Sequence, residues 1–173
     1  MHIILIPRER VGVLIGQGGE VKRQIEERGV KLEISPDGEV KIHDEDVDSL
    51  TAMAALSVVT AIGRGFSSQR AIRLFQPDVY LELVDIKDYA GKDSKDARRL
   101  KARLIGTKGK MKSAIEELTD TKISVYGHTV AIIGDIVDIV VAREGIGMIL
   151  RGSAHNTVYH FLQRKQNERL MTD

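Results

Sequence analysis

The sequence predicts an α+β protein made of two copies of one small unit, and three observations carry that prediction. Residues 14–28 and residues 104–118 share eight of 15 positions at a constant offset of 90, namely positions 14, 15, 16, 19, 22, 25, 26 and 27 of the first copy. Each segment holds a Gly-x-x-Gly loop followed by apolar residues at helical spacing. Each is then followed by two short alternating stretches, typical of strands, and by a long apolar helix. A length of 173 residues allows two small domains.

The first copy opens with a short apolar stretch that predicts a strand at residues 3–6, followed by a short helix at residues 11–15. After the glycine loop, Val21 and Ile25 lie four residues apart. That spacing places both side chains on one face of a helix, which we predict over residues 20–28.

The second half of this copy alternates polar and apolar residues at 31–35 and again at 39–43, which predicts two strands. The sequence Pro36-Asp37-Gly38 between them predicts a turn. Either Asp46 or Asp48 is placed to cap a long helix that runs through residue 62. A further helix over residues 67–75 is appended, so the predicted order is β-α-α-β-β-α plus one C-terminal helix.

The second copy repeats this order, with one polar insertion at residues 89–95 between its first strand and its first helix. A turn-like joint, Gln76-Pro77-Asp78, separates the copies. We therefore predict two domains, residues 1–75 and residues 76–173. The elements predicted for the second are strands at 79–86, 122–126 and 129–133 and helices at 96–105, 110–118, 136–150 and 154–169.

Positive charge is concentrated in the second copy, although the chain as a whole is nearly balanced at 26 basic and 25 acidic residues. Residues 92–112 hold two acids, Asp93 and Asp96, and nine basic side chains, so their net charge is +7. The counterpart window, residues 2–22, has a net charge of +1. Such a cluster predicts a binding site for a polyanion, with a solvated helix face as the alternative. The nine are Lys92, Lys95, Arg98, Arg99, Lys101, Arg103, Lys108, Lys110 and Lys112.

The glycine loops suggest which polyanion these cations would meet. Glycine permits a positive φ and leaves no Cβ between the loop and a ligand. The helix that follows begins at the loop, so its free N–H groups and the positive end of its dipole face the same space. A phosphodiester backbone suits that arrangement.

Several classes of protein are excluded or disfavoured by composition and motif. Without cysteine the chain has no disulfide, no thiolate nucleophile and no Cys-ligated zinc. A P-loop would need Ser or Thr after Gly109-Lys110, where the chain has Met111. His155 and His160 are five residues apart, a poor spacing for a shared metal. The longest apolar runs are far shorter than the ~20 residues of a membrane span. We therefore predict a cytoplasmic protein that is not an enzyme and has no cofactor, bound metal or membrane.

The repeated pattern resembles the type I KH domain, and the resemblance covers essentially the whole chain as two copies. In that family the Gly-x-x-Gly loop clamps the backbone of about four nucleotides against a hydrophobic groove. The resemblance implies clamps at residues 16–19 and 106–109, with Ile15 and Ile105 on the groove walls and the strands at 32–34 and 123–125 opposite. The family has an apolar residue three places after the last glycine, where this chain has lysine. The predicted RNA-binding residues are Gly16, Gln17, Gly18, Gly19, Lys22, Arg98, Arg99, Arg103, Ile105, Gly106, Thr107, Lys108, Gly109, Lys110 and Lys112.

Longer stretches resemble one KH family in particular, the archaeal tandem-KH ribosome-assembly proteins related to the eukaryotic partner-of-Nob and Krr proteins. The matching stretches are residues 61–67, 103–109, 123–135 and 151–162. The resemblance implies a factor that binds single-stranded RNA near the 3′ end of small-subunit rRNA during its processing. It also implies protein partners among assembly or translation factors. The charge difference adds the expectation that the second domain dominates RNA binding. The alternatives are a protein-interaction scaffold that has lost RNA binding and a single-stranded DNA-binding protein.

Overall fold

The first domain is built on a three-stranded antiparallel sheet in the order β1-β3-β2. The computed structural model describes residues 1–172 and places strands at His2–Leu5 (β1), Lys31–Ile34 (β2) and Glu39–His43 (β3). Leu32 pairs with Ile42 across the β2–β3 ladder, and both side chains are buried. The sheet therefore offers one apolar face, on which the helices pack.

Three helices and one helical turn complete this domain: Arg8–Ile15 (α1), Glu20–Glu26 (α2), Ser49–Gly63 (α3) and Ser68–Ala71 (α4). The α3 cap is Asp48 rather than Asp46, since the Asp48 carboxylate accepts a 2.8 Å hydrogen bond from the Thr51 amide. That bond lowers the pKa of Asp48 below its usual value. Leu14, Ile25 and Ile62 are fully buried, one from each of the three longer helices.

The second domain repeats the same arrangement, with its sheet in the order β4-β6-β5. Its core is one apolar cluster that includes Leu104, Ile115, Ile132 and Ile146, each without measurable exposure. Its elements are Tyr80–Asp85 (β4), Ser94–Ile105 (α5), Lys110–Thr119 (α6), Lys122–Tyr126 (β5), Thr129–Gly134 (β6), Ile136–Leu150 (α7) and His155–Thr172 (α8).

The long third helix of each domain ends in the same bend. Gly65 and Gly152 follow α3 and α7 with φ of 100° and 105°, a region that glycine occupies without strain. The amides of Phe66 and Ser153 reach back five residues to the carbonyls of Ala61 and Met148, at 3.1 and 2.9 Å. This is a Schellman ending, and it turns the chain into the appended helix.

The predicted fold class is confirmed, with differences at element ends. Helix α5 begins at Ser94 instead of 96, because Asp93 caps it through the Lys95 amide at 3.0 Å. Helix α1 begins at Arg8 instead of 11. The appended helix of the first domain is shorter than predicted: α4 passes into a 3-10 turn at Ile72–Phe75.

The chain forms two compact units, Met1–Leu81 and a second from Glu82 onward. That division falls inside β4, whose strand belongs to the second sheet. We therefore retain residue 75 as the proposed end of the first domain. Among residues 1–172, no helix combines the length and the apolar character needed to cross a membrane.

Candidate nucleic-acid interface

The two glycine loops follow the same backbone path. Gly16 has a φ of 77° and a ψ of 172°, and Gly106 has a φ of 76° and a ψ of 172°. Gly18 and its counterpart Lys108 both adopt the left-handed region, with φ of 62° and 57°. The local fold thus imposes the same conformation whether the third loop position is glycine or lysine.

The first glycine of each loop is required by packing. A Cβ built on Gly16 would lie 2.5 Å from Cγ2 of Val21, and one built on Gly106 would lie 2.8 Å from Cβ of Met111. A Cβ on Gly109, by contrast, would meet no atom within 4 Å, although its φ is also positive, at 73°. The first glycine therefore lets the helix close on each loop, and the space beside Gly109 is open to a ligand backbone.

The helix after each loop is anchored by its apolar residue two places beyond the last glycine. Met111 is 1% exposed and Val21 is 9% exposed, so these residues occupy the core. The lysines that follow, Lys22 and Lys112, lie 3.9 and 3.8 Å from the carboxylates of Glu26 and Glu116. Both lysines are therefore partly offset by acids, and neither displaces the helix from its packing.

Those two glutamates also join each helix to the neighbouring strand. Glu26 accepts a 2.9 Å hydrogen bond from the Leu32 amide, and Glu116 accepts a 2.8 Å bond from the Ile123 amide. The same brace thus holds the second helix of each domain against β2 or β5. The repeated Glu at this position was visible in the sequence, but its role was not.

The expected groove walls are only partly available to a ligand. Ile105 and Ile15 are half-buried beside their loops. On the strands expected opposite, Leu32 and Ile123 belong to the core, with exposures of 2% and 1%. The partly exposed apolar residues of these strands are Ile34 and Val125.

Six cations of residues 92–112 make no ion pair or side-chain hydrogen bond within the described part of the chain. They are Lys92, Lys95, Arg98, Lys101, Lys108 and Lys110. Lys108 lies inside the loop and Lys110 begins α6, and both are exposed. Both side chains therefore lie toward solvent, next to the open side of the second glycine loop.

Arg99 is neutralised by an acid on its own helix. Its guanidinium lies 2.7 Å from the Asp96 carboxylate, which also accepts a 2.7 Å hydrogen bond from the Gly91 amide. The Gly91 bond and then the Arg99 contact lower the pKa of Asp96, so this carboxylate is ionised at neutral pH. Arg99 therefore adds little net charge to the predicted site.

The Arg103 side chain binds backbone carbonyls of its own domain. Its guanidinium donates to the carbonyls of Ile149 and Ser153, at 3.0 and 2.7 Å, in the bend after α7. In the first domain Arg10 donates to the carbonyls of Ile62 and Phe66 in the same way, at 2.8 and 2.6 Å. Arg103 was predicted to contact RNA. We now propose a structural role for it, because two nitrogens of its guanidinium bind carbonyls at the helix end, where the helix itself supplies no donor.

The first domain has no comparable unpaired charge in its window. Arg8 lies 3.3 Å from the Asp37 carboxylate, and Lys22 pairs with Glu26. Together with Arg10 they account for every Lys and Arg of residues 2–22. Gln17 and Gly18 place no charge in the loop itself.

One contact to the first loop was missed by the sequence analysis. Arg23 of α2 donates a 2.7 Å hydrogen bond to the Gly18 carbonyl, so its guanidinium lies over the loop. The second domain has Ser113 at this position. Its location one turn beyond the last glycine was the available signal, since a long side chain on a helix covers the preceding turn.

A metal centre is not formed by the described side chains. Within residues 1–172, no three His, Asp or Glu side chains come together where they could hold an ion. The repeated features that remain are the two glycine loops, their apolar anchors and the cations around the second.

Comparison with protein families assigns each half of the chain. A family described as "Eukaryotic type KH-domain (KH-domain type I)" matches residues 80–167, and one described as "KH domain" matches residues 1–64.

Individual relatives match along nearly the whole chain. It is 47% identical to the KH domain-containing protein MJ0443 of Methanocaldococcus jannaschii, over 97% of this chain and 75% of that protein. It is 32% identical to the pre-rRNA-processing protein PNO1 of Chaetomium thermophilum, over 83% of this chain and 53% of PNO1. The chain thus spans about half the length of such PNO1 relatives.

Among solved structures, it is similar to the crystal structure of an a/eIF2alpha-aDim2p-rRNA complex from Pyrococcus horikoshii. The TM-score is 0.89 and the sequence identity is 40%, covering 96% of this chain and 94% of that one.

Proposed function

The chain belongs to the type I KH family as an archaeal tandem-KH ribosome-assembly protein, and we propose that it binds single-stranded RNA near the 3′ end of small-subunit rRNA during processing. The families that it matches are RNA-binding families rather than enzymes, so the chain acts by binding. The second domain supplies most of the RNA affinity, and the protein works in the cytoplasm, where this rRNA is assembled.

The observation that carries the proposal is the open glycine loop of the second domain with two unpaired cations, Lys108 and Lys110, beside it and four more along α5. Contacts with phosphate dominate nucleic-acid affinity because each neutralised phosphate releases counterions. Lys108 stands in the loop, and Lys110 stands in the first turn of the helix that follows it. A phosphodiester backbone that approaches Gly109 would meet both ammonium groups.

The choice of rRNA as the ligand is supported by the relatives. PNO1 is named a pre-rRNA-processing protein, and the neighbour from Pyrococcus horikoshii was solved in a complex with rRNA and a/eIF2alpha. We infer protein partners of the same kind, ribosome-assembly proteins or translation factors. Action at the 3′ end is what the resemblance of residues 61–67, 103–109, 123–135 and 151–162 to the archaeal tandem-KH family implies.

The alternative is a protein-interaction scaffold, and one observation favours it for the first domain. The lysines and arginines of residues 2–22 are all engaged by the domain's own acids or carbonyls. A clamp of this kind gains little from counterion release. The first domain would then orient RNA weakly or bind a protein, while the second holds the RNA.

The test introduces two aspartates into each glycine loop. Thr107→Asp/Lys108→Asp and Gln17→Asp/Gly18→Asp are titrated against a short single-stranded RNA from the small-subunit 3′ end, by fluorescence anisotropy over a salt series. We expect the second-domain variant to lose at least about tenfold in affinity and the first-domain variant less than about twofold. A DNA oligomer of the same sequence serves as the control, since DNA lacks the 2′-OH.

Each outcome has a distinct meaning. Equal losses in both variants would overturn the dominance of the second domain. If neither variant changes the affinity, the glycine loops are not the RNA site and the scaffold function takes precedence. Equal affinity for DNA and RNA would instead point to a general single-strand binder.

A further inference from the structure

Helix α5 carries positive charge well outside the clamp. Its counterpart in the first domain, α1, begins at Arg8, which corresponds to Arg98 of α5. Helix α5 begins four residues earlier, at Ser94, after the polar insertion. Lys92 and Lys95 therefore occupy a segment that the first domain does not have.

The unpaired cations of α5 follow one flank of the helix. At 3.6 residues per turn, Lys95, Arg98 and Lys101 are each displaced by about 60° around the axis, over a rise of about 9 Å. Lys95 and Arg98 are exposed and Lys101 is half-buried. The opposite face packs Ala97, Leu100 and Leu104 into the core. The flank is therefore a fixed row of charge rather than a mobile tail.

The acid of this helix does not cancel that row. Asp96 is held by Arg99 and by the Gly91 amide, at 2.7 Å in each case. The Gly91 bond also fastens the inserted segment to the helix, which keeps Lys92 near its start. Lys92, Lys95, Arg98 and Lys101 thus form one surface, here called the α5 flank. Asp93 caps α5 through the Lys95 amide, and none of the four cations makes an ion pair within the described chain.

The α5 flank extends away from the glycine loop. From Lys95 to Gly106 the helix rises by about 16 Å. A KH clamp holds about four nucleotides. Lys95 therefore cannot contact the phosphate that approaches Gly109, and a strand held at the loop must continue along α5 to reach it.

We propose that the α5 flank is a second binding surface for a phosphodiester backbone, so that the second domain holds RNA beyond the clamped nucleotides. The inference rests on the proposed RNA-binding function of the same domain. The first domain provides a contrast: at the positions of Lys101 and Lys108 it has the buried Val11 and the uncharged Gly18. Its Arg8 is paired with Asp37.

The experiment measures how RNA length affects binding. Fluorescence anisotropy compares a five-nucleotide RNA with twelve-nucleotide RNAs extended at the 5′ end, at the 3′ end, or by a hairpin. The variant is Lys95→Gln/Arg98→Gln/Lys101→Gln, which removes charge and keeps good helix formers. The matched control is Arg8→Gln on the first helix of the other domain, and circular dichroism checks that both variants are folded.

We expect the triple variant to bind one of the twelve-nucleotide RNAs at least about tenfold more weakly than wild type does. The slope of log K against log salt should fall by about two, since each phosphate contact with a single strand contributes about 0.7. Its affinity for the five-nucleotide RNA should stay within about twofold of wild type, and Arg8→Gln should affect neither RNA.

The outcomes separate this inference from the function on which it rests. If the triple variant loses affinity equally for short and long RNAs, the flank is part of the clamp and the proposal of a second surface is wrong. If no RNA responds to the triple variant while wild type binds, the flank does not contact RNA. A response confined to the hairpin RNA would assign the surface to a duplex backbone. Failure of wild type to bind any RNA would overturn the proposed function itself.

Discussion

The first and second domains follow the same backbone path through their clamps but differ in what surrounds them. Gly16 and Gly106 share their φ and ψ to within 1°, and Glu26 and Glu116 brace equivalent strands. Around the first loop every nearby Lys or Arg is engaged by the domain itself. Beside the second loop Lys108 and Lys110 are unpaired, and four further unpaired cations follow α5.

This difference separates the residues that make a KH fold from those that make a binding site. Helix anchors, braces and the first glycine recur in both copies because each satisfies packing or a backbone hydrogen bond. Unpaired lysines satisfy nothing inside the domain, and like charges placed close together repel one another. Their accumulation in one copy does not stabilise the fold, and we therefore assign it to the proposed RNA ligand.

The largest effect should come from the residue that both domains need equally. Gly106→Ala and Gly16→Ala each force a Cβ into the following helix, and we expect a loss of about 3 kcal/mol from positive-φ strain and overlap together. Urea denaturation measures the loss, and hydrogen exchange of α2 and α6 locates it. Gly109→Ala is the control, with strain but open space, and should cost about 1 kcal/mol. An equal cost at Gly106 and Gly109 would show that contact with Met111 is unimportant.

The next effect distinguishes a structural arginine from a binding one. Arg103→Lys and Arg10→Lys keep the charge but lose the fork that binds two carbonyls, so each should destabilise its domain by about 1–2 kcal/mol. RNA affinity should be unchanged in both, as measured by anisotropy at a temperature where both are folded. A loss of RNA affinity in Arg103→Lys without a loss of stability would return Arg103 to the binding site.

The fold was predictable because each element had a local signal. The loop glycines, the i, i+4 pair Val21 and Ile25, and the alternating strands predicted the element order, and the structure confirms it. The sequence restricted the N-cap of α3 to two aspartates, but choosing Asp48 required the position of the Thr51 amide in the structure.

The roles of charged residues were much less predictable. Arg103 and Lys108 look alike in a count of charges, yet Arg103 bonds to carbonyls 46 and 50 residues away. Such partners are set by tertiary packing and leave no local pattern. Arg23 was missed for the converse reason, since its bond to Gly18 depends on the loop conformation.

A smaller effect should follow from giving the first loop the charges of the second. Gly18→Lys/Glu20→Lys copies Lys108 and Lys110, and Lys108 shows that lysine can adopt the required positive φ. We expect RNA affinity to rise about three- to tenfold and the salt dependence to steepen by about 1.4, two contacts at 0.7 each. Gly18→Asn/Glu20→Gln is the control that removes the acid without adding cations. No gain over this control would mean that the first domain lacks a groove for RNA.

The smallest effect should come from releasing Arg99 from its acid. Asp96→Asn keeps an oxygen that can accept the Gly91 amide but removes the negative charge, so RNA affinity should rise about twofold by anisotropy. An unchanged affinity would show that Arg99 lies away from the RNA path.

Stability tests the same pair independently through pH. Because the folded pKa of Asp96 is lowered, its stabilising contribution is present above the unfolded pKa of about 3.8 and is lost as pH falls through the folded value. Wild type should therefore exceed Asp96→Asn in thermal stability by a constant margin at neutral pH, and the margin should close in acid. A margin independent of pH would contradict the lowered pKa of Asp96, because both the Gly91 bond and the Arg99 contact favour the ionised carboxylate.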